Sequence, residues 1–453
     1  MNRRYWAIAA ALGAVICLGQ ATHVFFNNRP KDSIQNATTV LRAQRIAPLV
    51  AMAVAAHSTV NTLNNLLNDK YEGVSDSCTS FHVGGKIIIS RPSKNNLSPA
   101  SGMKLFVASV ALDKLGANYR YKTTVYGDLL NGEVKGNLYV RGGGDPLVAT
   151  DMYAKRLAIA SQPYTSLDRF ADQIQRAGIK NVDGTIVVDD SRYDRKRSVQ
   201  SWGERYIPIQ VAPLSALEIN DNHGDNLIGL AGDPAIYFGT RLQQALQNRG
   251  VVFGDDEVKT GAVPTNSIVL ATATSHPLFE IVDDMLTNSN NTTAELLVKE
   301  LGRKYKGEGT TAAGLAFIKN WIVGKQIDND RYVQADGSGL SDQDAASCQT
   351  LNELIDANIG DIRKGFAIAG ETGTLRTRLK GTPAESLIHA KTGTLNGAAS
   401  LSGFVQAKEA PLVTFSLISD GLGSLTGNHI WQDDMATALA SFSSAYASNL
   451  AAQ

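Results

Sequence analysis

A proline followed by an unbroken apolar helix pattern is the stretch that most constrains this chain. Ser98-Pro99-Ala100-Ser101-Gly102-Met103-Lys104 leads into Leu105-Phe106-Val107-Ala108-Ser109-Val110-Ala111-Leu112. Pro99 bars helix on its N-terminal side. Leu105, Ala108, Leu112 and Leu115 then recur at helical spacing until Gly116 stops the element. Ser101 and Lys104 lie three residues apart and so share one face of that helix. A serine at the first turn of a buried helix, with a lysine beside it, is one way to make an alcohol nucleophilic without histidine. Taken alone, the pair is more simply read as a capping serine and a surface lysine. The rest of the chain has to supply the remaining parts.

The 453 residues exceed one ordinary core, so two or three domains are expected. A hydrophobic content of 43% and a charged content of 19% describe a globular protein. The 43 acidic and 43 basic residues cancel, and no basic run exists beyond Asn2-Arg3-Arg4, which excludes nucleic acid as a partner. No Gly-x-Ser-x-Gly and no His-Glu-x-x-His occur, and the seven histidines show no metal-ligand spacing. His389, near Lys391, reads as facing the core or solvent. Gly142-Gly143-Gly144-Asp145-Pro146 is a structural loop: no Gly-Lys-Ser/Thr follows, and Pro146 blocks a helix.

Arg3 and Arg4 precede an apolar run from Tyr5 to Leu18, with Gly19 and Ala21 beyond it, which is a targeting pattern. Val24-Phe25-Phe26 prolongs the run toward spanning length and favours an uncleaved anchor, while a cleaved signal stays open. Both imply export. Cys17 lies in that segment, leaving Cys78 and Cys348 in the folded part. In an oxidising compartment these two either pair or stay as buried thiols.

Further along, helix with breaks is predicted from Pro30 to about Asn68. A hairpin follows over Cys78–Val83 and Lys86–Ser90 around Gly84-Gly85. Strands are expected at Tyr119–Tyr126, Val134–Arg141, Thr185–Asp189, Val251–Val258 and Ser267–Thr272. Helices are expected at Ser166–Gly178 and Gly239–Asn248. Helix returns over Pro277–Leu286 and over Thr293–Leu301, the latter with Thr292 and Glu295 spaced as a capping box and Gly302 as its stop. Thr310–Val323 and Thr350–Ala357 are helical, Asp336–Ser341 a tight turn. Strands at Ser386–Ala390, Ala399–Val405 and Leu412–Ile418 precede a last helix from Ile430 to Ala447.

Two stretches join the Ser101 helix: Ser289-Asn290-Asn291 between two helices, and Lys391-Thr392-Gly393-Thr394 at a strand end, where Gly393 permits close approach. Glu371-Thr372-Gly373-Thr374-Leu375 mimics the second but carries a glutamate where a cation is required, so it reads as a decoy. Ser-x-x-Lys, Ser-x-Asn and Lys-Thr-Gly in this order form the penicillin-recognising active-site set.

With these motifs the chain resembles the penicillin-binding protein 4 type D-alanyl-D-alanine carboxypeptidases, the S13 peptidase family. The resemblance also covers Gly142–Pro146, Val188-Asp189-Asp190-Ser191, Ala212–Leu217, Asp336–Ser341 and Gly381–Ala384. It extends to the interval of about 190 residues between the first two motifs. It implies an α+β fold: a transpeptidase-like (β-lactamase-like) domain with an antiparallel sheet flanked by helices, carrying a large α+β insertion. The expected division is 1–29 targeting segment, 30–118 with 270–453 catalytic, and 119–269 inserted. The resemblance makes Ser101 the acylated nucleophile, Lys104 its base and Ser289 a proton relay. Asn291 holds the substrate amide, while Lys391, Thr392, Gly393 and Thr394 receive its carboxylate. Substrates are a peptidoglycan pentapeptide or a cross-linked muropeptide, outside the cytoplasm. Penicillins acylate the serine, and no metal or organic cofactor is implied. Two departures stand out. Gly102 replaces a usual hydroxyl or amide residue, and Asp342 and Asp344 stand where the family tends to have Arg and Asn. A weakly active cell-wall sensing or binding module remains an alternative, as does a β-lactamase using Glu218.

Overall fold

The computed structural model describes residues 65, 76–156, 162–202, 204–224, 232–407, 411–420 and 425–451. The targeting segment with Cys17, and the helix read over 30–68 apart from residue 65, lie outside these residues.

The Gly84-Gly85 hairpin forms as its β-branched runs dictate: β1 (Ser77–Val83) and β2 (Lys86–Arg91) pair antiparallel. A 3-10 turn over Ala100–Met103 then feeds α1 (Lys104–Leu115), which is buried from Lys104 to Leu112 and ends at Gly116.

The chain next builds a second sheet. β3 (Lys122–Leu130) and β4 (Glu133–Arg141) form a hairpin. α2 (Leu167–Arg176) follows, its Ser166 cap accepting from the Arg169 N–H, and then β5 (Ile186–Asp189), parallel to β4. α3 (Pro234–Gln247) starts five residues before the expected Gly239, because Asp233 caps it and Pro234 takes its first turn. The strand region expected over Val251–Val258 shrinks to Val252–Phe253. β6 (Val269–Thr274) closes on β3, so this sheet continues past residue 269. Phe170, Ile174, Phe238 and Leu242 of the helices meet Leu138, Val140, Ile186 and Val188 of the strands in one core.

The chain then returns through α4 (Leu278–Asn288), α5 (Asn291–Lys306), α6 (Thr311–Gly324) and α7 (Cys348–Ile362). After these come β7 (Ala367–Ile368), β8 (Ile388–Leu395), β9 (Ala398–Val405), β10 (Val413–Ser419) and α8 (Leu425–Ala451). The six-stranded order is β7-β8-β9-β10-β1-β2, with every neighbouring pair antiparallel. The N-terminal hairpin therefore completes a sheet begun near the C-terminus, around a long intervening segment. On one face Phe106, Met285, Leu297 and Leu354 pack under Phe404 and Ile418. On the other, Trp431, Met435 and Leu439 of α8 pack on Phe81, Leu401, Phe415 and Leu417. Each fully buried side chain of this size contributes roughly 1.5–3 kcal/mol. No helix among the described residues is long and apolar enough to cross a membrane.

Three local expectations are corrected. The capping box does not form: α5 starts at Asn291 with Asn290 as its cap, accepting from the Thr293 N–H, and runs through Gly302 to a left-handed Gly307. The Lys-Thr-Gly stretch lies inside β8 rather than at a strand end, because pairing with β9 continues to Leu395. α7 reaches Ile362, well past Ala357.

Cys78 of β1 and Cys348 at the start of α7 form a disulfide with an S–S distance of 2.00 Å across 270 residues of sequence. Alkylation without reduction should therefore leave both thiols unmodified, and replacing both cysteines by alanine should destabilise the protein by about 2–5 kcal/mol. Recovery of both as alkylated thiols from unreduced protein would contradict the pairing.

Candidate active site

Ser101 sits in the 3-10 turn that precedes α1, held there by backbone geometry that few residues tolerate. Ala100 is buried at φ 46°, a left-handed conformation costing a non-glycine residue roughly 1–2 kcal/mol. Pro99 O accepts from the Gly102 N–H at 2.9 Å and from Ser400 Oγ of β9 at 2.6 Å, which fixes the turn to the sheet. Gly393 of β8 faces the same turn. A Cβ there would stand 2.2 Å from Pro99 O, 2.3 Å from Ser400 Oγ and 3.1 Å from Ser101 N. Gly102 is not in a helix interior, so no helix-propensity cost applies. Its Cβ would be squeezed at 3.1 Å from Pro99 Cβ and 3.3 Å from Ser400 Oγ, and glycine suits the space.

Lys104 is wholly buried at the start of α1. Its Nζ lies 2.8 Å from Ser101 Oγ, 2.5 Å from Asn291 Oδ1 and 2.6 Å from Ser338 O. Burial lowers its pKa to about 7, against the opposing pull of Asp336, Glu295 and Asp344. The neutral amine is thus accessible near neutral pH, and its lone pair can face Ser101 while two N–H groups serve Asn291 and Ser338. Burial, and then the neighbouring Lys104, hold the Lys391 pKa well below the usual lysine range.

The carboxyl groups near Lys104 shape its floor. Asp336 accepts from the N–H groups of Gly339 (2.6 Å), Leu340 (2.9 Å) and Ser341 (2.8 Å). Glu295, one turn into α5, accepts from Gly337 (3.0 Å) and Ser338 (2.8 Å) instead of capping its own helix. Together they pin the Asp336–Ser341 turn so that Ser338 O meets the lysine. Gly339, at φ 82°, lets the turn lie against the nucleophile, since its Cβ would fall 1.9 Å from Ala100 O. Burial, reinforced by Asp336, pushes Glu295 up to about 8 and Asp344 up to about 10.

Ser289 closes α4 in a left-handed conformation at φ 62° and receives a 2.8 Å hydrogen bond from Lys391 Nζ. Lys391, buried in β8, also donates to Thr392 O at 2.7 Å. Asn291 donates from Nδ2 to Gln210 O at 2.7 Å, tying the site to the segment before Pro213. Thr392 is half-buried and Thr394 exposed, with His429 Nε2 3.4 Å from the Thr394 hydroxyl. The eight residues singled out by the three motifs therefore converge on one cleft. Sequence reasoning missed Glu295, Ser338, Ser400 and Gln210 as its supports. Two of these carry a sequence signal: Glu295, spaced as a capping box, and Ser338, inside the tight turn Asp336–Ser341.

Other readings resolve as well. His389 stacks on Phe404 with centroids 4.8 Å apart, the bland role foreseen for it. Glu218 is buried, and burial, reinforced by Asp221 and Asp145, pushes its pKa well up. Gly142, Gly143 and Gly144 permit contacts with Ala216, Lys122 and Tyr193 that a Cβ would obstruct. Asp342 pairs with Arg205 at 2.9 Å and accepts from Asn396 at 2.6 Å. Asp344 accepts from the Ala335 N–H at 2.7 Å.

Because a side chain at 393 would drive β8 off the serine turn, Gly393→Ala should remove covalent labelling of Ser101 by a fluorescent penicillin while leaving a cooperative melt. Labelling at the unaltered rate would show that the close approach is unnecessary.

Residues 79–226 and 223–442 match the D-Ala-D-Ala carboxypeptidase 3 (S13) family. A D-alanyl-D-alanine carboxypeptidase from an Actinomadura species is 29% identical over 425 residues, covering 74% of this chain and 76% of that protein. A D-alanyl-D-alanine carboxypeptidase from Haemophilus influenzae is 24% identical over 398 residues, covering 71% and 80%. Among solved structures, penicillin binding protein 4 from Haemophilus influenzae superposes with a TM-score of 0.68 at 21% identity, over 82% of this chain and 97% of that one. With the match spanning nearly all of the described residues, the chain belongs to the D-Ala-D-Ala carboxypeptidase 3 (S13) family.

Proposed function

We propose that Ser101 attacks the carbonyl of a D-alanyl-D-alanine bond in a peptidoglycan stem peptide and becomes acylated, with Lys104 as its base. The observation that carries this is the 2.8 Å separation of Lys104 Nζ from Ser101 Oγ, at a lysine whose burial brings its pKa to about 7. A base of that pKa balances availability against proton affinity at neutral pH. The nucleophile's proton passes to Lys104, and the tetrahedral oxyanion forms where the Ser101 and Thr394 N–H groups are proposed to receive it. Each such donor is worth about 3 kcal/mol.

Ser289, which accepts from Lys391 Nζ at 2.8 Å, delivers a proton to the departing D-alanine. Asn291 keeps Lys104 oriented and can offer Nδ2 to the substrate amide. Lys391, Thr392 and Thr394 suit the terminal carboxylate: an arriving anion opposes the lowering of the Lys391 pKa by burial and Lys104. Gly393 keeps the strand close enough for both. Water then releases the acyl-enzyme. A β-lactam presents the same carboxylate and a strained amide, and should acylate Ser101 by the same route. The disulfide fits action outside the cytoplasm. Whether a terminal residue or a cross-link is cut depends on how the segment containing β3–β6 frames the cleft.

Ser101→Ala should abolish both hydrolysis and penicillin labelling, and Lys104→Ala should slow acylation by a factor of about 100 or more. Labelling of Ser101→Ala would exclude that serine as nucleophile. Digesting cross-linked and uncross-linked muropeptides side by side assigns the bond: free D-alanine marks a carboxypeptidase, and conversion of dimers to monomers an endopeptidase.

A further inference from the structure

The decoy copy of the Lys-Thr-Gly motif lies beside the true one. β7 pairs with β8 only at Ala367–Ala390 and Ile368–His389, so Lys391, Thr392 and Gly393 of β8 run on past the Ala367 end of β7. The chain leaving β7 folds into a 3-10 turn over Gly373–Leu375 that flanks this uncovered part of β8. Each member of the copy has its own task. Glu371 accepts from Ser386 Oγ. Thr372 Oγ1 accepts from the Ile368 N–H at 2.9 Å and closes the loop. Gly373, at φ 50°, brings the turn against the end of α4, where its Cβ would stand 2.1 Å from Thr287 O. Leu375 is buried and anchors the turn in the core. Thr374 is exposed, and its Oγ1 lies 2.8 Å from Thr392 Oγ1.

We propose that Thr374 is a positioning residue for the substrate's terminal carboxylate, acting through the hydroxyl of Thr392. The inference rests on the reading of Thr392 as a carboxylate donor. Without substrate, Thr392 donates to Thr374. A carboxylate is an acceptor only, so when it arrives the Thr392 proton turns to it, and Thr374 turns its own proton to the Thr392 oxygen left behind. Two hydroxyls in series then point at one anion, and each bond polarises the next. The anchored turn holds Thr374 at the required distance before the substrate binds, so little ordering is needed on binding. A motif copy that lost its cation thus keeps a use for its second threonine.

The test measures kcat and KM of the full-length protein on a peptide ending in D-alanyl-D-alanine. The variants are Thr374→Val, Thr374→Ser, Thr392→Val and Thr374→Val/Thr392→Val. Thr374→Val should lower kcat/KM about tenfold, mainly through KM. Thr374→Ser should return to within about twofold of the unaltered protein, and the double variant should be no worse than Thr392→Val alone. The inference is overturned if Thr374→Val matches the unaltered enzyme, if serine fails to rescue, or if the two losses multiply in the double variant. If Thr392→Val retains full kcat/KM, the carboxylate reading of Thr392 fails and this inference with it. If only Thr392→Val is impaired, the reading of Thr392 stands and the role of Thr374 is refuted.

Discussion

Two lysine side chains taken wholly out of water are the interaction on which the rest of the site depends. Lys104 and Lys391 are both 0% exposed, and their mutual repulsion adds to the cost of burying Lys391. An isolated buried ammonium sheds its proton unless partners compensate. Lys104 has them in Asn291, Ser338 O and the carboxyl groups beneath. Lys391 donates to Ser289 Oγ and Thr392 O, and among the described residues no carboxylate offsets its burial. The asymmetry separates the two amines: Lys104 sits against Ser101 with carboxyl groups beneath it, and Lys391 has no carboxylate partner among the described residues.

That poise requires rigid walls, which explains the placement of the acids and glycines. Asp336 and Glu295 spend their oxygens on five backbone N–H groups of a single turn, converting it into a fixed platform for Ser338 O. Gly339 and Gly393 approach the serine turn from different elements, where a single Cβ would stand within about 2 Å of a backbone oxygen. Burial, reinforced by Asp336, raises the pKa of both Glu295 and Asp344. Asp344 accepts from the Ala335 N–H on the floor of the site. Asp342, by contrast, found a partner in Arg205.

Much of this was legible in the sequence because it is local. Pro99 and the apolar run specify the helix bearing Ser101 and Lys104, and Gly84-Gly85 specifies the hairpin. The order of the three motifs identifies the site. What stayed hidden is non-local. Glu295 sits where a capping box would put it, yet tertiary packing sends it to a turn some 40 residues on. Thr374 looked like part of a failed copy because its neighbour in space, Thr392, is 18 residues away across a strand edge. Helix ends were misplaced for a simpler reason: Asn290 and Asp233 cap outside the hydrophobic period, which is all that spacing can show.

The central claim is that a neutral Lys104 accepts the proton of Ser101, and the pH dependence of acylation tests it most directly. The measurement is the second-order rate constant for penicillin acylation of the free enzyme, taken across about pH 5 to 9 and read against the ionisation of the base. With Lys104 titrating at about 7, the rate should fall tenfold per pH unit well below that value and level off above it. A rate constant that stays flat through pH 7 and falls only below about pH 5, or rises only above about pH 9, would contradict the account.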